Sequence, residues 1–239
     1  NHTATVRMSE FKSKRIALDK AAEVRTSSMF LAPLLARTGQ ALVPNPGGCR
    51  IGARPIDRII DGLKSMGVSI VYNSKDGFFH AKTEGLRETV YSFDKNTHTG
   101  TETMILAGIL AKGRTILKNA AQEPEIDELI DFLNSMGAKV LRTENRKIII
   151  DGVPKLTGTT FVVGPDRNEV VTYAIAAILT EGDVVVEGAA IKGIEEFLEA
   201  LQRCGGGFEK KEKGLRFFYK GNLLTTDVMT QNYPGFMTD

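Results

Sequence analysis

One pattern of apolar and acidic residues occurs three times in this chain, and its spacing restricts the fold more than any other feature. The copies are Ile56-Asp57-x-x-Ile60-Asp61-Gly62-Leu63-x-x-Met66-Gly67, Ile126-Asp127-x-x-Ile130-Asp131-Phe132-Leu133-x-x-Met136-Gly137 and Ile194-Glu195-x-x-Leu198-Glu199-Ala200-Leu201-x-x-Cys204-Gly205. Their first residues lie 70 and 68 positions apart, so the period is nearly constant and the chain reads as a tandem array of one supersecondary unit. Apolar residues four and seven apart mark the buried face of a short helix, and the closing glycine supplies the left-handed conformation that ends it.

Upstream of each copy an apolar helix leads through a small turn into a β-rich run. These are Met29 to Arg37 before Gln40–Val43, Thr103 to Lys112 before Arg114–Leu117, and Val170 to Glu181 before Asp183–Glu187. Two further strand-like runs follow each copy: 69–72 with 78–81, 139–141 with 147–150, and 208–210 with 216–219. With a strand placed before each first helix the unit becomes βαβαββ, an α/β architecture. Helices such as Ile105–Leu110 and Ala174–Leu179 are hydrophobic nearly all round, which predicts helices inside and sheets facing solvent. Arg54-Pro55-Ile56-Asp57 and Glu123-Pro124-Glu125-Ile126 put proline in the first helical turn, where a missing N–H costs nothing. Convergence of such helix starts would build an anion site without a high net charge.

Local placement of charge matters because Lys+Arg 31 against Asp+Glu 29 gives a net charge of only +2. That is far from the basic balance of a sequence-independent nucleic-acid binder, so no nucleic-acid partner is expected. The apolar runs Met104–Ala111 and Tyr173–Leu179 fall short of the roughly 18 residues that span a bilayer, and no membrane partner is expected. The two cysteines, Cys49 and Cys204, suit neither a disulfide framework nor a zinc site. A reducing, cytoplasmic setting is the expectation, with no metal and no cofactor. The chain opens on Asn1 and closes in a turn-like stretch at Asp239, so it reads as an excerpt of a longer one.

The stretch from Pro44 to Asp57 holds most of the chemistry. It is glycine-rich and runs into a helix start, yet it lacks both the Gly-Lys-Ser/Thr of a P-loop and the G-x-G-x-x-G of a dinucleotide fold. It does place Cys49 beside Arg50 and near Arg54, a setting that favours thiolate. A reactive thiol and an incidental surface thiol fit these residues about equally. Cys204 takes the helix position of Met66 and Met136 and reads as a core filler.

The loop Pro46-Gly47-Gly48-Cys49-x-Ile51-Gly52-Ala53-Arg54-Pro55-Ile56-Asp57 resembles the enolpyruvyl transferases. So do Arg25-x-Ser27 leading to Pro33-Leu34-x-Ala36-Arg37-x-Gly39, the phrase Asn119-Ala120-Ala121-x-Glu123-Pro124-Glu125-Ile126, and the ending Pro234-Gly235-Phe236-x-Thr238-Asp239. The match is to the members whose acceptor is UDP-N-acetylglucosamine, and it runs from about Val24 onward. It implies an inside-out α/β barrel of two lobes, each of three βαβαββ units. On that frame residues 1–163 form one lobe nearly whole, and 164–239 a hinge and one unit of the other. It also implies transfer of the enolpyruvyl group of phosphoenolpyruvate to the 3-hydroxyl of UDP-N-acetylglucosamine with release of phosphate, the first committed step of peptidoglycan synthesis.

By the same resemblance Cys49 is the general acid toward the methylene carbon, carried on a mobile lid whose closure excludes water. Its flanking glycines are expected to give the loop freedom. Arg25 and Arg54 match arginines that meet the anionic substrates, a task suited to the guanidinium fork. Pro55, Ile56, Asp57 and Arg58 match the segment that holds the uridine portion. Lys95, Asn96, Thr97 and His98 match a second nucleotide loop; without the resemblance Thr97 to Thr101 reads as a polar turn and helix cap. Asp239 matches an aspartate that faces the reacting hydroxyl and accepts its proton.

The chain departs from the pattern in two places. It has no Lys-Asn pair near its beginning, where the family places one for phosphoenolpyruvate, and Arg58-Ile59 stand where the best-known members have leucine and histidine. The alternatives are a catalytically silent homologue that binds the sugar nucleotide, and a shikimate-3-phosphate enolpyruvyl transferase. The latter family branch lacks the Gly-Gly-Cys-x-Ile-Gly loop. This stretch of chain alone is expected to be inactive.

Overall fold

The computed structural model describes residues 2–8, 10–48 and 55–236. The chain enters through α1 (Leu18–Glu23) and a 3-10 turn over Arg25–Phe30, then runs through three repeats of one order. The first is α2 (Leu31–Thr38), β1 (Gln40–Pro44), α3 (Asp57–Ser65), β2 (Ser69–Asn73) and β3 (Phe78–Lys82). The second is β4 (Val90–Ser92), α4 (His98–Gly108), β5 (Arg114–Lys118), α5 (Pro124–Ser135), β6 (Lys139–Glu144) and β7 (Lys147–Asp151). The third is α6 (Arg167–Leu179), β8 (Asp183–Glu187), α7 (Glu195–Arg203), β9 (Gly207–Lys211) and β10 (Gly214–Phe218).

The three sheets share one strand order, β1-β3-β2, β5-β7-β6 and β8-β10-β9, each with the last strand in the centre and antiparallel to both neighbours. Among the described residues, the strand expected before each first helix is complete only in the second repeat, where β4 runs parallel to β5. In the first repeat it shrinks to one parallel bridge, Arg15 to Leu42. In the third, residues 159–163 form no ladder among the described residues, and Val162 and Val163 stand exposed.

The glycines that close the second helices behave alike. Gly67, Gly137 and Gly205 have φ of +86°, +95° and +92°. Each donates its backbone N–H to a carbonyl three residues back: Lys64, Asn134 and Gln202. This is the left-handed helix stop that the repeat pattern predicts.

The chain divides into two compact units, Asn1–Ala120 with Leu133–Gly158, and Ala121–Phe132 with Thr159–Asp239. In the first unit, alternate strand residues Ala41, Val43, Ile148 and Ile150 point inward, and Val71 and Leu141 lie on the outer face. α4 is buried around most of its circumference: Thr101, Thr103, Met104, Ile105 and Ala107 are all inaccessible. A Cβ on Gly62 of α3 would lie 2.5 Å from Met104 Sδ, so the two helices cross at a glycine. α4 also starts five residues before the expected Thr103, because Thr97 caps it: its Oγ1 accepts from the Gly100 N–H at 3.2 Å. We expect Thr97→Ala to cost about 1 kcal/mol of stability in chemical denaturation, with Thr97→Ser close to neutral.

The second unit has its own core, built from Val170, Ala174, Ile178, Ile194, Leu198, Leu201, Leu215 and Phe217. Cys204 packs against this cluster, half-buried, with its thiol 3.1 Å from the Leu201 carbonyl oxygen. Phe217 is fully buried in the central strand. Phe217→Ala should therefore destabilise by about 3–5 kcal/mol, read as a lower urea midpoint. The expectation that α6 is buried all round fails within this unit: Tyr173, Ile175 and Leu179 are 56%, 43% and 71% exposed. Its partners there are β8 and β10, which cover one face of the helix and leave the other open.

Candidate active site

Cys49, Arg54 and Asp239 lie outside the described residues, and so does the expected mobility of the lid. The chain leading up to Cys49 is described, and it is tied to the residues before Arg25. Gly47 donates its N–H to the Ala21 carbonyl at 3.0 Å, and Gly48 donates to the Ala22 carbonyl at 3.2 Å. An added Cβ on Gly47 would fall 1.8 Å from the Ala22 carbonyl oxygen, and one on Gly48 would meet Arg25 Cβ at 3.2 Å. Gly48 also has φ +91°. These two glycines therefore allow close approach to α1 and to Arg25, where the sequence reading had them supplying freedom. Arg25 opens a turn whose Ser27 and Ser28 are buried, with Ser27 Oγ donating to the Ala21 carbonyl and Ser28 Oγ to that of Arg25. The structure thus brings Arg25 beside the approach to Cys49.

The segment Pro55–Arg58 forms the start of α3. Ile56 is its cap, buried and without a side-chain hydrogen bond, and its carbonyl accepts from the N–H groups of Ile59 and Ile60. Pro55 therefore precedes the cap and does not sit in the first turn as the sequence suggested; Pro124 does, as the first residue of α5. Asp57 is exposed in the first turn, where a carboxylate suits the positive end of the helix. The two positions that break the family pattern separate here, since Ile59 goes into the core and Arg58 goes outward.

Arg58 meets Asp94. Its Nε lies 2.6 Å from Oδ1 and its Nη2 3.2 Å from Oδ2, a two-point contact in which Arg58 is 27% and Asp94 69% exposed. The guanidinium, aided by the Lys95 backbone N–H, holds the Asp94 carboxyl below the usual carboxylate range. Tyr91 adds a second link, its hydroxyl donating to the Arg58 carbonyl at 3.1 Å. Burial first, then the charges of Asp61 and Asp94, push that hydroxyl's pKa up.

This contact brings the two expected nucleotide segments together. Behind Lys95–His98, Asn96 donates its side-chain amide to the Ala120 carbonyl at 3.0 Å, and Asn119 donates to that of Phe93 at 2.9 Å. Asn119 does so from a left-handed backbone with φ +53°. Lys95 is exposed, and His98 Nδ1 lies 3.4 Å from Glu102 Oε2 on the next turn. The sequence reading missed Asp94, Tyr91 and the structural task of Asn119. Only the aspartate's place beside Lys95 hinted at the first, and nothing in the spacing linked it to Arg58.

In the second unit the starts of α5, α6 and α7 gather around one side chain. Arg167 Nε lies 2.7 Å from Glu125 Oε1, its guanidinium carbon lies 5.7 Å from the centroid of the Tyr233 ring, and a Cβ on Gly193 would sit 3.1 Å from Pro124 and 3.3 Å from Arg167. Burial, joined by Glu195, raises the Tyr233 pKa. Glu125 in the first turn of α5 already meets Arg167, the first residue of α6, with a carboxylate. This cluster is accordingly no open anion site.

Comparison with known proteins agrees with this architecture. Residues 2–239 match the family described as EPSP synthase (3-phosphoshikimate 1-carboxyvinyltransferase). A Bartonella henselae protein named UDP-N-acetylglucosamine 1-carboxyvinyltransferase is 40% identical over 250 residues, covering 100% of this chain and 58% of its own. A protein of the same name from Acidobacterium capsulatum is 43% identical, covering 90% and 49%. The chain thus spans about half the length of the curated relatives it matches. Among solved structures, the enolpyruvyl transferase NikO from Streptomyces tendae superposes with a TM-score of 0.67 at 20% identity, over 80% of this chain and 46% of its own. EPSP synthase from Acinetobacter baumannii superposes with a TM-score of 0.60 at 24% identity, over 82% and 46%. At those identities the likeness is one of fold, and it agrees with the repeated βαβαββ units. A family match along almost the whole chain, joined to close sequence relatives and a common fold, makes this chain a member of the EPSP synthase family of enolpyruvyl transferases.

Proposed function

We propose that the protein carrying this chain transfers the enolpyruvyl group of phosphoenolpyruvate to the 3-hydroxyl of UDP-N-acetylglucosamine, releasing phosphate in peptidoglycan synthesis. The observation that carries the reading is whole-chain identity near 40% to proteins named for that reaction, where the family match by itself leaves the acceptor open. The cysteine loop, Gly47-Gly48-Cys49-x-Ile51-Gly52, supports the same acceptor over shikimate 3-phosphate.

In this reading the acceptor oxygen bonds to C2 of phosphoenolpyruvate while C3 takes a proton, and the intermediate then loses that methyl proton as the C–O bond to phosphate breaks. Cys49 supplies the proton to C3, and Asp239 accepts the one leaving the sugar hydroxyl. Arg25 and Arg54 meet the anionic groups of the two substrates. The backbone of Pro55, Ile56, Asp57 and Arg58 faces the uridine, and Lys95, Asn96, Thr97 and His98 face the diphosphate and sugar. The division into a lobe over 1–163 and a hinge with one further unit over 164–239 belongs to this proposal, as does a cytoplasmic setting. Among the described residues no helix is long and apolar enough to cross a membrane.

Intact-mass analysis of the full-length protein tests the reading. Fosfomycin, an epoxide that alkylates such a thiol, should leave one adduct in the presence of UDP-N-acetylglucosamine, and Cys49→Asp should abolish it. Titration calorimetry should show binding of UDP-N-acetylglucosamine and none of shikimate 3-phosphate. The reverse preference, or an unmodified wild-type thiol, contradicts the reading.

A further inference from the structure

The Arg58–Asp94 pair joins two segments that lie 36 residues apart in sequence. We propose that Asp94 is a positioning residue of the nucleotide site, and that the Arg58 side chain acts by locking onto Asp94, with the guanidinium itself not touching the substrate. The inference rests on the sugar-nucleotide reading above and assigns a role to a residue that reading leaves out.

Two donors of the Arg58 fork already point at the two Asp94 oxygens, at 2.6 and 3.2 Å. A guanidinium committed in this way orients its partner well and serves poorly as a ligand for a second anion. Asp94 directly precedes Lys95 in the chain, so its contact with Arg58 holds the entry to the segment 95–98. On the other side of the contact, Tyr91 fixes the Arg58 carbonyl at the second residue of α3. The far end of the 95–98 segment is held independently, by Thr97 capping α4 and by Asn96 on Ala120. The pair thus completes a frame that holds the start of α3 against the loop before α4.

A half-exposed pair of this kind adds little to global stability. Its effect should appear in binding, because a site already held in shape loses less freedom when the ligand arrives. That separates the proposal from two simpler ones. If Arg58 were a phosphate ligand restrained by Asp94, removing the carboxylate would free it and leave affinity equal or better. If the pair served the fold alone, its loss would lower the melting temperature with nucleotide affinity unchanged.

The experiment uses the full-length protein and its variants Asp94→Asn, Arg58→Leu and the double substitution. Calorimetric titration with UDP-N-acetylglucosamine is read beside melting temperature and steady-state kinetics. The proposal expects each single variant to weaken nucleotide binding roughly three- to tenfold, and the double variant to be no weaker than either, since the two residues act as one unit. KM for UDP-N-acetylglucosamine should rise by the same factor. KM for phosphoenolpyruvate, kcat at saturation and the melting temperature should stay close to wild type. Wild-type or tighter binding by Asp94→Asn overturns the proposal, and so does a double variant whose loss is the product of the single losses. Failure of the wild-type protein to bind the nucleotide at all would instead sink the functional reading, and the positioning role with it.

Discussion

Gly47→Ala is expected to cut turnover of the full-length protein by about a hundredfold, although residue 47 carries no chemistry of its own. The added methyl would lie 1.8 Å from the Ala22 carbonyl oxygen, a backbone atom that no rotamer change can move. Either the hydrogen bonds from Gly47 and Gly48 to Ala21 and Ala22 break, or α1 shifts. Both outcomes displace the approach to Cys49 relative to Arg25, and a misplacement of about 1 Å at a reacting group costs rate on that order. The same clash should destabilise by about 1–3 kcal/mol. Gly158, whose added Cβ would meet nothing within 4 Å, supplies the control, and Gly158→Ala should leave both quantities unchanged. The check is kcat alongside the rate of Cys49 alkylation. Unimpaired values for Gly47→Ala would mean that the loop is not anchored on α1.

The second large effect is expected at the thiol. Cys49→Ala removes the proposed proton donor and should lower kcat by about 10²–10⁴, the usual worth of a positioned acid. Calorimetry should find UDP-N-acetylglucosamine affinity within a factor of two of wild type, because the expected nucleotide contacts come from 55–58 and 95–98. A variant that loses binding in proportion to rate would place Cys49 in the nucleotide cradle, away from proton transfer. Wild-type turnover without the thiol would remove it from the mechanism.

What could be read from the residues follows the range of the forces involved. The period near 70, the glycine stops at 67, 137 and 205, and the two strand runs after each second helix are local patterns, and all of them appear in the structure. Hydrophobic periodicity puts the start of α4 at Thr103, whereas the backbone answers to the cap at Thr97, as the polar residues Thr97 to Thr101 suggest. α6 shows the same limit: its all-round hydrophobicity predicts burial, yet burial depends on which partners are packed against it. At the candidate site, Arg25 and the segments 55–58 and 95–98 stand out in the sequence as motifs. The Arg58–Asp94 contact and the seating of Gly47 on Ala22 do not, since they depend on chain crossings that no sequence interval records.

The central claim is the reaction, and phosphate release from phosphoenolpyruvate by the full-length protein tests it most directly. Parallel assays would offer UDP-N-acetylglucosamine, shikimate 3-phosphate or neither as acceptor. The account predicts release with the sugar nucleotide alone, in step with formation of its enolpyruvyl ether. Release with shikimate 3-phosphate, or none with either acceptor from a folded protein that binds the nucleotide, would contradict it.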